Sequence, residues 1–166
     1  ARRVLPEALR RGATVYVVDP RRSMTAELVE KEARSDAGCW VPVAPGTDGA
    51  LASAIARVIL AEGLWNRDYV GDFEGAENIF AEAAQLKGRV DEDSFQERFT
   101  HGVCAWWNEE LFDKTPEWAE AQTGVPASVI IRMARAFARA GQRAVSWISP
   151  GVAMSARGLY SGMACY

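Results

Sequence analysis

The chain has 166 residues, 49% of them hydrophobic and 25% charged, with a formal net charge of −3. That length can bury a core as one domain, and the mild acidity leaves no basic footprint for nucleic acid or for an anionic membrane surface. No apolar run nears the roughly 20 residues that a bilayer-spanning helix needs.

The opening residues ARRVLPEALRRG read as an amphipathic helix over about residues 2–11, with Gly12 as its stop, rather than as a secretory signal. Residues 14–18, TVYVV, form a continuous β-branched and aromatic run, the pattern of a strand buried on both faces. Pro20 ends it. Ser23 is placed to cap a helix running to about Ala33, and residues 39–43 read as a second strand, with Pro42 at its edge or end. The turn PGTD follows, with Thr47 or Asp48 as cap of a helix whose Leu51, Ile55, Val58 and Ile59 share one face and which stops at Gly63. This alternation predicts a parallel sheet covered by helices.

Residues 66–120 lose the clear periodicity and gather aromatics, among them Tyr69, Phe73, Phe80, Phe95, Phe99, Trp106, Trp107 and Trp118. No basic stripe accompanies them, so they read as core of a helical excursion packed over the sheet and not as a stacking platform for nucleic acid. Order returns with Thr115 as a cap, Pro116 in the first turn and Gly124 as the stop of a short helix. Pro126 opens a longer helix with Val129, Ile130, Met133 and Phe137 on one stripe, ended by Gly141. Residues 144–148 predict a third buried strand, then an SPG turn and a helix rich in small residues. The sequence opens within one helix and stops at SGMACY within another, so residues 1–166 read as a single domain truncated at both ends, with 66–120 inserted in it.

Chemistry concentrates at the strand ends. Cys39, Cys104 and Cys165 are widely spaced, form no CxxC pair and have only His101 for company, so they read as buried free thiols with no metal site. In open parallel sheets, ligands bind beyond the carboxyl ends of the strands. Asp19, the PGTD turn and the SPG turn all fall at such ends. A carboxylate there accepts from a ribose diol or a guanine N–H pair, Arg21 and Arg22 offer forks for phosphate, and the turn at Gly46, Thr47 and Asp48 leads into a helix N-terminus that favours an anion. Each also has a plain structural use: Asp19 as a turn starter, the arginines as solvated charges, Asp48 as a cap. Neither GxGxxG nor a P-loop is present, one of which free NAD or ATP normally requires.

VVDPRRSMTA, WVPVAPGTDGALASAIARVIL, TPEWAEAQTGVPASVI and WISPGVAMSARGLYSGM, in this order and spacing, resemble landmarks of the molybdopterin oxidoreductases of the dimethyl sulfoxide reductase family. The resemblance covers nearly the whole chain, and the aromatic middle is its least diagnostic part. It implies an α/β fold: a Rossmann-like three-layer sandwich with a mostly parallel sheet, from the large catalytic subunit. It implies a molybdenum or tungsten bis(molybdopterin guanine dinucleotide) cofactor whose guanosine end meets Asp19, Pro20, Arg21, Gly46, Thr47 and Asp48. Ser149, Pro150, Gly151 and Met154 would approach the pterin and metal side. The link at 23–40 is somewhat longer than the family's usual one.

The family's iron–sulfur cysteines, expected only N-terminal to this stretch, and its metal-ligating residue have no counterpart here, so no catalytic or metal-binding residue is assigned. The implied partners are the remaining domains of the same chain and an iron–sulfur electron-transfer subunit, with no nucleic acid and no membrane insertion. Family members act in the periplasm, in membrane-associated complexes, or in the cytoplasm, and the resemblance slightly favours the periplasm. The segment from Ser149 resembles the respiratory reductases of sulfur or arsenic oxyanions more than formate dehydrogenases. Two other readings stand beside this one: a Rossmann-type NAD(P) or nucleotide enzyme using Asp19 on ribose, and a non-catalytic module binding a partner through Trp106, Trp107 and Phe112.

Overall fold

Two parallel strands and the helices packed on them make up the first half of the chain. The computed structural model describes residues 4–33, 38–75, 78, 80–81 and 94–147. Helix α1 (Val4–Arg10) stops where Gly12, at φ +93°, lets the amide of Ala13 reach back to the Ala8 carbonyl. Strand β1 (Val15–Val18) pairs in parallel with β2 (Gly38–Val41), Val15 opposite Gly38 and Val18 opposite Val41. Helix α2 (Met24–Glu32) joins them, its first turn capped by the Ser23 hydroxyl, which accepts from the amide of Ala26. Gly38 is required where it stands, because a Cβ would lie 2.3 Å from the Val15 carbonyl oxygen. Strand β2 ends just before Pro42, whose missing N–H lies on the edge away from β1.

Helix α3 (Asp48–Ala61) carries two apolar clusters at once. Its N-terminal half gives Leu51 and Ala54 to an aliphatic core with Val41 and Val43, covered by Ala119 of α6 (Pro116–Thr123) and by Ile130 and Met133 of α7 (Ala127–Ala140). Its C-terminal end gives Leu60 to an aromatic core of Trp65, Phe73, Phe80 and Phe95. Between them sits Arg57, only 6% exposed, whose Nε donates to the Phe112 carbonyl at 3.2 Å and whose pKa is lowered by burial.

The aromatic segment departs from the all-helical expectation. After the single turn α4 (Arg67–Val70), strand β3 (Gly71–Phe73) pairs antiparallel with β4 (Phe95–Glu97), and only then comes α5 (Val103–Glu110). The reason is an alternation too short to stand out: Gly71 and Phe73 face in and Asp72 faces out, with Phe73 opposite Phe95. Most of its rings do pack inside, Trp65 meeting Phe73 and Phe80 edge to face at 6.1 Å. Tyr69, Phe99 and Trp106 are the exceptions and lie exposed.

Two other expectations need correction. The third strand does not form over its described part: residues 144–147 are irregular, with Val145 84% and Trp147 90% exposed. Strand β1 is only partly buried, with Val18 39% exposed, and so is not enclosed on both faces. Along the α7 stripe Ile130 and Met133 are buried, while Phe137 is open to solvent. Residues 148–166, with the SPG turn, the helix after it and Cys165, lie outside the described residues. Among those described, no helix is long and apolar enough to cross a membrane.

Candidate functional site

The parallel register of β1 and β2 decides where the candidate residues go. Both strands end at the same edge, so segments 19–22 and 42–48 leave the sheet side by side. An antiparallel pair would have sent Asp19 and the PGTD turn to opposite ends.

Asp19 is held by three of its own groups. Its amide donates to the Val41 carbonyl at 3.2 Å, extending the ladder by one bond. Its carbonyl accepts from the Trp40 indole Nε1 at 2.7 Å, and its Oδ1 accepts from the Arg21 amide at 2.9 Å. The last bond is the local turn that Asp before Pro favours. Among the described residues Oδ2 makes no hydrogen bond, which leaves one acceptor at the strand end. The two arginines separate in role. Arg22 is engaged with Glu30 through Nε and Nη2 at 2.9 and 2.7 Å, and that bond raises its pKa. Arg21 is exposed and makes no ion pair among the described residues.

The second turn is anchored from behind. The Ala44 amide donates to the Thr123 carbonyl at 2.9 Å, fixing the loop to the α6–α7 junction. Thr123 is buried, and its hydroxyl donates to the Ala119 carbonyl and accepts from the Val125 amide. Gly46 adopts φ +82°, a conformation that side-chain-bearing residues rarely take. Thr47 is the N-cap residue of α3, but its hydroxyl does not cap the helix. It turns back to donate to the Ala44 carbonyl at 2.7 Å, and Asp48 is the first helical residue. The first amides of α3 therefore have no side-chain cap, and a helix start in that state suits an anionic or strongly polar group.

Ser149, Pro150, Gly151 and Met154 lie outside the described residues, so the third turn is not placed. Of the thiols, Cys104 is buried and Cys39 half-buried, with the Arg132 guanidinium 3.9 Å from the Cys39 sulfur. Among the described residues no group of three or more His, Cys, Asp or Glu could hold a metal ion.

No model of a known protein family matches the chain. Curated proteins do. It is 40% identical to the molybdopterin-containing subunit ArrA of the arsenate respiratory reductase of Shewanella sp. (strain ANA-3), over 93% of this chain and 17% of that one. To the same subunit of Chrysiogenes arsenatis it is 38% identical, over 97% of this chain and 18% of the relative. To the dimethyl sulfoxide reductase DmsA of Escherichia coli (strain K12) it is 30% identical over 84% of this chain. The chain belongs to the dimethyl sulfoxide reductase family of molybdopterin subunits. It spans less than a fifth of the length of these relatives. Among solved structures, acetylene hydratase from Pelobacter acetylenicus superposes over 96% of this chain and 17% of its own, with a TM-score of 0.68 at 23% identity, so the two share a mixed α/β fold.

Two residues of this family segment were not singled out in the sequence. Trp40 and Thr123 lie outside the expected binding residues, yet each ties one of the two turns to the structure behind it. A donor-bearing aromatic two residues before Pro42 was the available signal for the first. Thr123 gave none, because a threonine at a helix end is ordinary.

Proposed function

We propose that this chain is the part of a molybdopterin oxidoreductase catalytic subunit that grips the guanosine end of a bis(molybdopterin guanine dinucleotide) cofactor, in an enzyme reducing an arsenic or sulfur oxyanion. The likeness to two arsenate respiratory reductase subunits carries the choice of enzyme class. The pair of turns leaving one sheet edge carries the choice of ligand end.

The residues fit that group. Asp19 Oδ2 accepts an N–H or ribose hydroxyl, while the Arg21 fork meets a phosphate oxygen. Gly46 and the uncapped start of α3 bring main-chain amides to polar ligand atoms. When bound, the cofactor supplies two-electron oxygen-atom or electron transfer at its metal, and the protein supplies binding, orientation and electrostatics. Ser149, Pro150, Gly151 and Met154 are assigned to the pterin side. The intact domain is assigned a Rossmann-like three-layer sandwich with a mostly parallel sheet. An iron–sulfur cluster outside this stretch and a separate iron–sulfur subunit complete the electron path.

The test uses the full-length product made in a host competent for cofactor synthesis. Molybdenum or tungsten by mass spectrometry, GMP on acid hydrolysis, and reduced-viologen oxidation with arsenate, tetrathionate or dimethyl sulfoxide are the three readouts. The proposal requires metal, GMP and turnover with an arsenic or sulfur oxyanion. Metal-free, GMP-free protein from that host sinks it, and turnover confined to dimethyl sulfoxide moves the substrate class.

A further inference from the structure

We infer that Trp40 is the positioning residue of this edge: its indole N–H fixes the turn at Asp19, Pro20 and Arg21, and so sets how firmly the nucleotide is held. The inference rests on the guanosine-end reading above and adds to it a residue outside the expected binding residues.

Three observations support it. Past Val41 the sheet ladder ends, because β2 stops there. In a continued parallel ladder the Asp19 carbonyl would accept from the backbone of the neighbouring strand. An indole donates in its place, at 2.7 Å, from a residue in the last turn of pleat on β2. The bond therefore restrains the first residue beyond β1 where backbone pairing has run out.

Asp19 is also the residue whose freedom matters. Its amide and Oδ1 are occupied, and the carbonyl bond to Trp40 removes the remaining rotation of the peptide leading into Pro20. Pro20 has a fixed φ, so the orientation of that peptide passes directly to Arg21. With the carbonyl held, Oδ2 and the Arg21 fork are presented in one arrangement, and less ordering is left to the moment of binding. Trp40 is itself half-buried, so water competes poorly for the bond.

The experiment uses the intact subunit from a cofactor-competent host, and reads GMP released by acid per mole of subunit after timed dialysis. Trp40→Phe keeps an aromatic ring and removes the donor. It should lose guanine nucleotide roughly fivefold faster than the unaltered protein, the size expected from one hydrogen bond. In an Asp19→Ala background the same change should cost less than it does alone, because Oδ2 is already gone and only the placing of Arg21 through the retained carbonyl remains to be lost. Replacing the indole by its benzothiophene isostere removes only the N–H, and serves where Trp40→Phe fails to accumulate.

Nucleotide retention unchanged in both variants overturns the inference, as does a Trp40 effect that simply adds to that of Asp19→Ala. A full effect of Asp19→Ala with none from Trp40 overturns the role of Trp40 alone and leaves the guanosine reading standing. An unaltered subunit that holds metal and pterin but releases no GMP overturns both.

Discussion

The two ends of helix α3 serve cores of opposite character. Toward its start the partners are aliphatic, Val41, Val43, Ala119, Val125 and Ile130, and they bind two strands to three helices. Toward its end they are rings, Trp65, Phe73, Phe80, Phe95 and Trp107, closing a two-stranded ribbon on itself. Close-packed aliphatic residues let backbones approach, and this is what brings the loop at Ala44 within hydrogen-bonding reach of Thr123. Rings fill space with few residues, so a short excursion of little regular structure gains a core of its own. The aliphatic core thus positions chemistry, and the aromatic core stabilises a local module. Arg57 lies at the seam and belongs to neither.

This contrast makes its strongest prediction at Trp65. The indole packs on four rings and donates to the Gly71 carbonyl at 3.0 Å. Trp65→Ala should cost about 3–5 kcal/mol, the usual range for an aromatic cut from a core. Thermal unfolding of the intact subunit checks the loss. If the two cores are separable, the ribbon should become protease-sensitive while GMP retention stays near that of the unaltered protein. Loss of both together would show one cooperative core.

Ile130→Ala should behave in the opposite way. Ile130 is fully buried in the aliphatic cluster, and its truncation should cost about 2–5 kcal/mol. Because that cluster carries both turns, nucleotide retention should fall with stability. Unchanged retention despite a lowered midpoint would separate the edge from the core beneath it.

A smaller change tests the link between them. Thr123→Val keeps the shape but leaves the Val125 amide without its acceptor, at about 1–3 kcal/mol for an unsatisfied buried group. The Thr123 carbonyl that holds Ala44 is a backbone group and survives the substitution, so any effect on GMP retention comes from loosening of the α6–α7 junction. Calorimetry beside GMP release separates the two contributions.

Much of the aliphatic half was legible in the sequence because its punctuation is local. Ser23 and Thr115 cap as read, Gly12 and Gly124 stop their helices at positive φ, and Pro42 marks the end of a strand. The Thr47 cap failed for a reason equally local: the hydroxyl had a nearer acceptor in Ala44. The ribbon was illegible because strands of three residues carry too few alternations to separate from a helix. Gly71 was the missed clue. At φ +114° and with Gln96 O 1.9 Å from where a Cβ would sit, it marks a close strand crossing that no other residue fits. The site residues divide similarly. Asp19 and the PGTD turn could be placed at one edge from strand direction alone, whereas the contributions of Trp40 and Thr123 depend on distant contacts that local patterns do not encode.

The smallest effect concerns the ion pair that closes α3 onto α7. Both oxygens of Glu62 accept from Arg135, at 2.8–3.0 Å, just past the end of α3. The hydrogen bond from Arg135 outweighs burial and holds the Glu62 carboxyl below its ordinary pKa. A depressed carboxyl contributes stability that is present above its unfolded pKa and is lost as pH falls through the folded one. The pair is partly exposed, so its worth stays under about 1 kcal/mol and is screened by salt. Unfolding midpoints measured downward through the acid range should therefore fall slightly less in Glu62→Gln than in the unaltered protein, with the difference shrinking in high salt. Since Arg135 reaches Glu62 from the helix that covers the aliphatic core, the same acid step should leave the aromatic ribbon unmoved. Equal acid sensitivity of tryptophan fluorescence at Trp65 and of GMP retention would mean that α3 transmits the change along its length, and that its two ends are less independent than their cores suggest.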